Sequence, residues 1–132
     1  MATRRIDGLL LPDGERMMLI EHFPPRYARL IAHHVTFKPG TGDARMPDGS
    51  DCAVVGHADD GAGVQALVVA IGGTTDRPDG STWHITWSLA EGRAARESND
   101  VIAALGWQVV EPPIPIALHP GSWEWTEEPP AA

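Results

Sequence analysis

Features that mark several large classes of protein are missing from this 132-residue sequence. Cys52 is its only cysteine, so no disulfide can form within the chain, and a reducing, cytoplasmic setting is the simplest interpretation. No stretch approaches the roughly 20 apolar residues of a membrane-spanning helix, and the N-terminal apolar run, Leu9 to Leu11, is too short for a signal peptide. We therefore expect no membrane partner.

Positive charge is also scarce, because ten Lys and Arg residues stand against eighteen Asp and Glu residues, for a net charge of −8. Proteins that track long nucleic acids neutralise many phosphates with Lys and Arg, so this class is excluded. A small anionic ligand is still compatible with the composition, since a cleft can be locally positive on an acidic protein. The G-x-S-x-G, P-loop and C-x-x-C patterns of serine hydrolases, kinases and redox enzymes are absent as well.

Glycine and proline, by contrast, are plentiful, with fourteen and twelve residues that divide the chain into short pieces. This pattern favours strands and turns over long helices, so we predict an α+β fold dominated by β-structure. The length suits one domain, which we place at residues 1–126, followed by a disordered tail at 127–132. Oligomeric state is not indicated by the sequence.

Turn signals and apolar runs divide the first half of the chain into strands. The turn Pro12-Asp13-Gly14 is expected to join two strands, and residues 28–37 are expected to form one strand closed by Pro39-Gly40. Asp59-Asp60-Gly61 has the composition of a hairpin tip, and the β-branched run Val64 to Ile71 after it is typical of a central strand.

The second half contains the cleanest strand, residues 82–89, and one convincing helix. Ser98 or Asn99 is expected to cap that helix and Gly106 to end it, with one further strand within residues 114–125. The tryptophans divide into two groups by their surroundings. Trp83, Trp87 and Trp107 are typical of the core, whereas Trp123 and Trp125 alternate with polar residues, which is also compatible with covering an edge or stacking on a base. The core is the preferred interpretation for all five.

Two strands carry the same polar pair. Residues i and i+2 of a strand share a face about 6.5–7 Å apart, which places His34 and Thr36 together in one strand and His84 and Thr86 together in the other. Thr82 and Ser88 extend the second polar face, and Lys38 extends the first. His33 falls with Val35 and Phe37 on the expected core side.

A solvated face of an antiparallel sheet would explain either strand taken alone. The repetition of His-apolar-Thr-aromatic favours a catalytic role, because solvated faces usually consist of Lys, Glu, Arg and Gln. One neutral and one protonated imidazole can act together as base and acid, and hydroxyls beside them can hold charge that builds on phosphate oxygens. Two imidazoles and two hydroxyls arranged in this way are suited to cleaving a phosphodiester without a metal ion.

The segments His34-Val35-Thr36-Phe37 and His84-Ile85-Thr86-Trp87 resemble the paired His-x-Thr/Ser-x motifs of the 2H phosphoesterase superfamily. The run IAHHVTF and the later ESND are similar to its cyclic phosphodiesterase branch, which is related to RNA end-healing and tRNA-ligase-associated domains. The resemblance covers roughly residues 30 to 105. It implies antiparallel sheets in two lobes around a central cleft, with one or two helices outside.

The resemblance also implies an activity, namely hydrolysis of a 2′,3′-cyclic phosphate or a related phosphodiester of a nucleotide or RNA end without a cofactor. His34 and His84 would be the acid and base, in an order that the sequence leaves open, and Thr36 and Thr86 would bind the phosphate. The motifs lie only 50 residues apart, and the chain is shorter than most members of the superfamily.

Two other functions compete with this one. A small β-barrel metal protein would use His33, His34, His57 and an acidic residue as ligands, yet no two histidines stand at the i, i+2 spacing that places them on one strand face. A non-catalytic module would keep the cleft and bind a nucleotide or RNA end without turning it over.

Overall fold

The computed structural model describes residues 3–126, so the expected tail at 127–132 lies outside the described residues. Ten elements follow one another along the chain: β1 (Thr3–Leu10), α1 (Asp13–His22), β2 (Arg29–Leu30), β3 (His34–Thr36), β4 (Cys52–Asp59), β5 (Val64–Ile71), β6 (His84–Leu89), α2 (Glu97–Leu105), β7 (Gln108–Ile116) and β8 (His119–Thr126). The α+β, β-dominated class is confirmed. Neither helix of the described part combines the length and hydrophobicity of a membrane span.

The strands form one eight-stranded antiparallel sheet in the order β7-β4-β5-β6-β3-β1-β8, with the short β2 also paired to β6. The resemblance implies antiparallel sheets in two lobes, whereas the described residues form one continuous sheet. β3 and β6, which carry the His-x-Thr pairs, are neighbours near its middle. They bring together segments 50 residues apart.

The two helices cover opposite faces of the sheet. Successive residues of β5 alternate between two apolar clusters: Leu67 belongs to the large core cluster together with Leu19 of α1, while Val68 packs with Ile102 of α2. Side chains of a strand alternate in this way between the two faces. His84 is paired with Val68 across the sheet, so the His-Thr pair of β6 lies on the face that α2 covers.

Two of the four elements predicted for the first half, the hairpin tip and the central strand β5, are formed as expected. The β4–β5 hairpin has its tip at Asp59-Asp60-Gly61, where the Asp60 carboxylate accepts hydrogen bonds from the backbone N–H groups of Ala62 and Val64. The predicted turn at Pro12-Asp13-Gly14 is wrong, because the chain enters α1 there. Proline suits the start of a helix, and Asp13 and Glu15 place negative charge in its first turn.

The single strand predicted for residues 28–37 is divided in two. Between β2 and β3 the chain turns at Ala32, which is fully buried and has a positive φ of 43°. Its backbone N–H still donates to the carbonyl of Thr86. This interruption decides where the side chains of His33 and His34 lie.

The second half also departs from the prediction in its last strand. Residues 114–125 contain the end of β7, a turn and β8, rather than one strand. The helix α2 is confirmed and ends at Gly106, whose φ of 70° suits glycine. Trp83 and Trp87 are buried as predicted, but Trp107 is 38% exposed, so its assignment to the core is wrong.

Candidate active site

The pairing of β3 with β6 brings the four predicted site residues together. Val35 lies opposite Ile85 in this antiparallel pair, so His34 faces Thr86 and Thr36 faces His84. Directly opposed residues have their Cβ atoms about 4.5–5.5 Å apart, and diagonal neighbours are roughly 7–8 Å apart. The two histidines therefore occupy one diagonal and the two threonines the other, and all four line one cavity of about 240 Å³.

The polar face of β6 is not a solvated face. His84 is 9% exposed and Thr86 is 8% exposed, because α2 covers this side of the sheet. Ser88, expected on the same face, does not line the cavity. A β-bulge in the β5–β6 pairing shifts the register before Ser88, and its hydroxyl donates to the side-chain oxygen of Gln65 instead.

His84 is held in one tautomer. Its Nδ1 lies 2.8 Å from the carbonyl oxygen of Thr82, which can only accept, so Nδ1 carries the proton and Nε2 is the acceptor of the neutral ring. Burial lowers the pKa of His84 to about 4, and the positive charges of Arg77 and Lys38 act in the same direction. The hydrogen bond to Thr82 and the charge of Asp79 oppose this only in part. At neutral pH the imidazole of His84 is uncharged and is a proton acceptor.

His34 has polar partners at both ring nitrogens. Its Nε2 lies 3.0 Å from Oγ1 of Thr36, and its Nδ1 lies 3.0 Å from Nδ1 of His33. Two indole rings of β8, Trp123 and Trp125, lie with their centroids 4.8 and 4.9 Å from the centroid of the His34 ring. His34 is thus enclosed on several sides and still faces the cavity.

His33 is not on the core side, where strand alternation places it. The turn at Ala32 breaks the alternation just before β3, and the ring of His33 lies beside His34 with their centroids 5.2 Å apart. Burial, together with the nearby charge of Arg16, lowers the pKa of His33. Strand periodicity cannot find such a contact, because it assumes that the strand continues.

The hydroxyl of Thr86 is engaged by the start of α2. Its Oγ1 lies 2.8 Å from Oγ of Ser98 and 3.3 Å from the carbonyl oxygen of Ala95. Ser98 was expected to cap the helix, and this is wrong, since Arg96 occupies the N-cap position and Ser98 is buried inside the first turn. Asn99, the other candidate for the cap, lines the cavity instead.

Three cations line the cavity: Lys38, Arg77 and Arg96. Arg77 is only 2% exposed, and its guanidinium donates to Oδ1 of Asn99 at 3.2 Å, to the carbonyl oxygen of Thr36 at 3.3 Å and to the carboxylate of Asp79 at 3.1 Å. Burial raises the pKa of Asp79, yet hydrogen bonds from Ser81 and Arg77 outweigh it and lower that pKa, so Asp79 is ionised and offsets one positive charge. No carboxylate is among the described residues that line the cavity.

Sequence reasoning did not find Arg77. It stands in the loop between β5 and β6, within Asp-Arg-Pro-Asp-Gly, where an arginine is normally solvated. The sequence carries no local signal of its burial, because the contact with Asn99 comes from a residue 22 positions away. Stacking on a base was only an alternative to a core position for Trp125, and its place beside His34 depends on the pairing of β8 with β1.

The ligands proposed for the alternative metal site are not gathered. His57 lies on β4, where its ring stacks on Phe23 at 5.6 Å and it lines a different cavity with Arg26 and Gln108. Within residues 3–126 no group of three or more His, Cys, Asp or Glu side chains is placed to hold a metal ion. His33 and His34 are close to each other, but among the described residues no third ligand joins them.

No protein-family model, no curated protein and no solved structure matches this chain. The chemistry of the cavity therefore follows from its own side chains. It combines a neutral imidazole with a defined acceptor nitrogen, a second imidazole across a diagonal, two hydroxyls and a positive lining. Such a space suits a small anion whose oxygens exchange protons.

Proposed function

We propose that this protein hydrolyses a phosphodiester, most simply a 2′,3′-cyclic phosphate of a nucleotide or RNA end, by proton transfer between two histidines without a metal ion. The observation that carries the proposal is the antiparallel pairing of β3 with β6, which places both His-x-Thr pairs along one cavity lined by cations. A phosphate group placed between diagonal neighbours roughly 7–8 Å apart is within reach of both imidazoles.

His84 is the base in this proposal, an assignment that the sequence left open. Its neutral ring presents Nε2 as acceptor, so it takes a proton from a water molecule as the water oxygen attacks phosphorus. His34 gives a proton from Nε2 to the ribose oxygen that leaves. One P–O bond forms, one breaks, and the proton gained by His84 balances the proton lost by His34.

The negative charge on the non-bridging oxygens is balanced by the cavity lining. Arg77 is fixed by four acceptors and brings a delocalised positive charge, while the exposed Lys38 contributes attraction at longer range. The hydroxyls of Thr36 and Thr86 are already hydrogen-bonded, to His34 and to Ser98. A hydroxyl that accepts from its present partner keeps its own hydrogen for a phosphate oxygen, as Thr36 does when Nε2 of His34 is protonated.

The cavity volume of about 240 Å³ favours a terminal phosphate with its sugar over a polymer running through the site. A substrate of this kind also agrees with a net charge of −8, since only the cavity lining has to be positive. The single cysteine, which excludes a disulfide within the chain, fits a reducing cytoplasmic location.

The direct test is a panel of phosphodiesters incubated with the protein in excess chelator and analysed by product mass. The panel contains 2′,3′-cyclic nucleotides, 3′,5′-cyclic nucleotides and short RNAs that end in a cyclic phosphate. We expect ring opening of a 2′,3′-cyclic phosphate in chelator, and a loss of roughly 10²- to 10⁴-fold in rate for His34→Ala and for His84→Ala.

His22→Ala is the matched control, because His22 is exposed at the end of α1 and does not line the cavity. It is expected to keep the wild-type rate. Unchanged turnover in both cavity variants, with circular dichroism showing an intact fold, would remove the proposed chemistry. Activity that disappears in chelator and returns with a divalent ion would favour the metal-dependent alternative.

A second candidate, a module that binds a nucleotide or RNA end without cleaving it, is favoured by the low pKa of His84. A base with a pKa of about 4 is weaker than the value near the working pH that suits general-base catalysis. A bound phosphate offsets the charges of Arg77 and Lys38 and so raises the pKa of His84, which supports catalysis. Calorimetric binding of a cyclic nucleotide that is recovered intact after prolonged incubation would identify the binding module.

A further inference from the structure

His33 contacts His34, one of the two histidines of the proposed reaction, without lining the cavity. The distance of 3.0 Å between its Nδ1 and Nδ1 of His34 is a hydrogen-bond distance between two ring nitrogens, so one of them must carry the proton. The two contacts of His34, to His33 and to Thr36, are both satisfied when His34 carries a proton on each nitrogen. Neutral His33 is then the acceptor.

We propose, on the basis of the function proposed above, that His33 is a positioning residue that accepts a hydrogen bond from Nδ1–H of His34 and keeps His34 in its doubly protonated, proton-donating form. The hydrogen bond also fixes the ring so that Nε2–H points away from His33, toward Thr36 and the leaving oxygen. His33 touches neither substrate nor reacting atoms. It acts through His34.

The surroundings of the two rings differ in a way that places the charge on His34. His33 is half-buried and the charge of Arg16 lies close to it, since Nε of Arg16 donates to the carbonyl oxygen of Ala32 at 2.7 Å. Both effects penalise a charged His33. Trp123 and Trp125 lie close to both rings, with centroid distances of 4.8 and 4.9 Å to His34 and of 5.5 and 5.2 Å to His33, so the difference between the rings comes from burial and Arg16.

The other groups that face His34 are uncharged or positive. Across the sheet from β6 lie the uncharged side chains of Thr86 and His84, and from the cavity lining come the positive charges of Lys38, Arg77 and Arg96. These cations oppose protonation of His34 in the empty cavity. A bound phosphate neutralises them, so the proton-donating form is favoured most in the complex.

The test compares two replacements of His33. Asn places a side-chain oxygen close to the position of Nδ1 and keeps an acceptor, whereas Leu has a similar size and no acceptor. We expect His33→Leu to move the alkaline limb of the pH–rate profile to lower pH, with a rate about tenfold below wild type at pH 8 and within about twofold at pH 6. His33→Asn is expected to restore most of the rate at pH 8.

His57→Gln, at another half-buried histidine far from the cavity, is the control and should leave the profile unchanged.

A second measurement separates this inference from the proposed function. Titration of the His34 ring followed by NMR needs no turnover, and we expect deprotonation at lower pH in His33→Leu than in wild type or His33→Asn. Equal titration curves for all three proteins would overturn the role of His33, whatever the activity. A protein without phosphodiesterase activity whose His34 titration still depends on His33 would instead overturn the proposed function and keep the contact. A His33→Leu protein that fails to fold leaves the comparison of wild type with His33→Asn, in which a shifted alkaline limb would likewise contradict the proposal.

Discussion

Lys38 differs from the other cavity cations because its side chain is exposed, so it can be replaced without emptying a buried site. For the proposed reaction, we expect Lys38→Met to raise KM roughly two- to fivefold at low ionic strength, since one exposed charge contributes at most about 1 kcal/mol. The difference should vanish in about 1 M salt, where the screening length is roughly 3 Å. Because the Lys38 charge lowers the pKa of His84, the acid limb of the rate profile should also move to higher pH.

Arg45→Met is the matched control for this charge, because Arg45 is exposed and does not line the cavity. Both variants change the net charge of the whole molecule by the same amount. Steady-state kinetics at two salt concentrations checks the expectation. Equal KM values for the two variants at low salt would show that Lys38 acts only through the net charge.

Prediction of side-chain positions from the sequence succeeded where a strand continues without a break. It failed where tertiary contacts determine the position of a side chain. The alternation of side chains places His34 with Thr36 and His84 with Thr86, and these pairs are found in one cavity. Ser88 departs from the pattern at a bulge. Arg77 has its partners in distant segments, so no local pattern in the sequence marks it as buried.

At the scale of elements, the close approach of β1 to β3 requires a glycine. Gly8 pairs with Thr36, and a Cβ at Gly8 would lie 2.3 Å from the carbonyl oxygen of Val35, which is backbone and cannot move aside cheaply. We expect Gly8→Ala to lower the free energy of unfolding by about 1–3 kcal/mol. Displacement of β3 should also lower the proposed phosphodiesterase activity, because β3 carries His34 and Thr36.

Gly14→Ala provides the opposite case in the same chain. Gly14 lies in the first turn of α1, and nothing lies within 4 Å of the position that its Cβ would take. An alanine there reduces the entropy of the unfolded chain without a clash, so we expect a gain of about 0.4–1 kcal/mol. Denaturant unfolding measures both variants. A stabilised Gly8→Ala protein would contradict the pairing of β1 with β3.

The elements that sequence reasoning missed share a physical cause. The start of α1 has the composition of a turn, Pro-Asp-Gly, and the same residues are compatible with a helix N-terminus because proline and acidic residues suit its first turn. The break at Ala32 has no glycine or proline to announce it. It is stabilised by a hydrogen bond across to Thr86, which exists only once β6 is in place.

At the scale of the whole molecule, the site depends on a long-range pairing of strands that no local pattern specifies. The sequence shows two similar strands, but their adjacency, the cover supplied by α2 and the approach of β8 belong to the sheet order. That order converts what could be two solvated faces into one buried polar cavity. Because His84 is buried there, its protonation lowers the free energy of unfolding.

This cost predicts how the stability of the whole molecule depends on pH. The unfolded chain protonates His84 near pH 6.5, while the folded pKa is about 4, so between these values the unfolded state binds more protons than the folded state. The folded state therefore keeps its full free energy of unfolding above pH 6.5, and part of that free energy is lost as the pH falls to about 4. A difference of about 2.5 units corresponds to about 3 kcal/mol in the free energy of unfolding.

His84→Asn isolates this contribution, because the Asn amide can still donate to the carbonyl of Thr82 and does not titrate. Urea unfolding at pH 7 and at pH 4.5 should show a smaller loss of stability in the variant than in wild type, by about 2–3 kcal/mol. Some acid sensitivity should persist, since burial also lowers the pKa values of His33 and His57. Equal losses in the two proteins would mean that His84 is solvated in the folded state, and the cavity would then have no buried base.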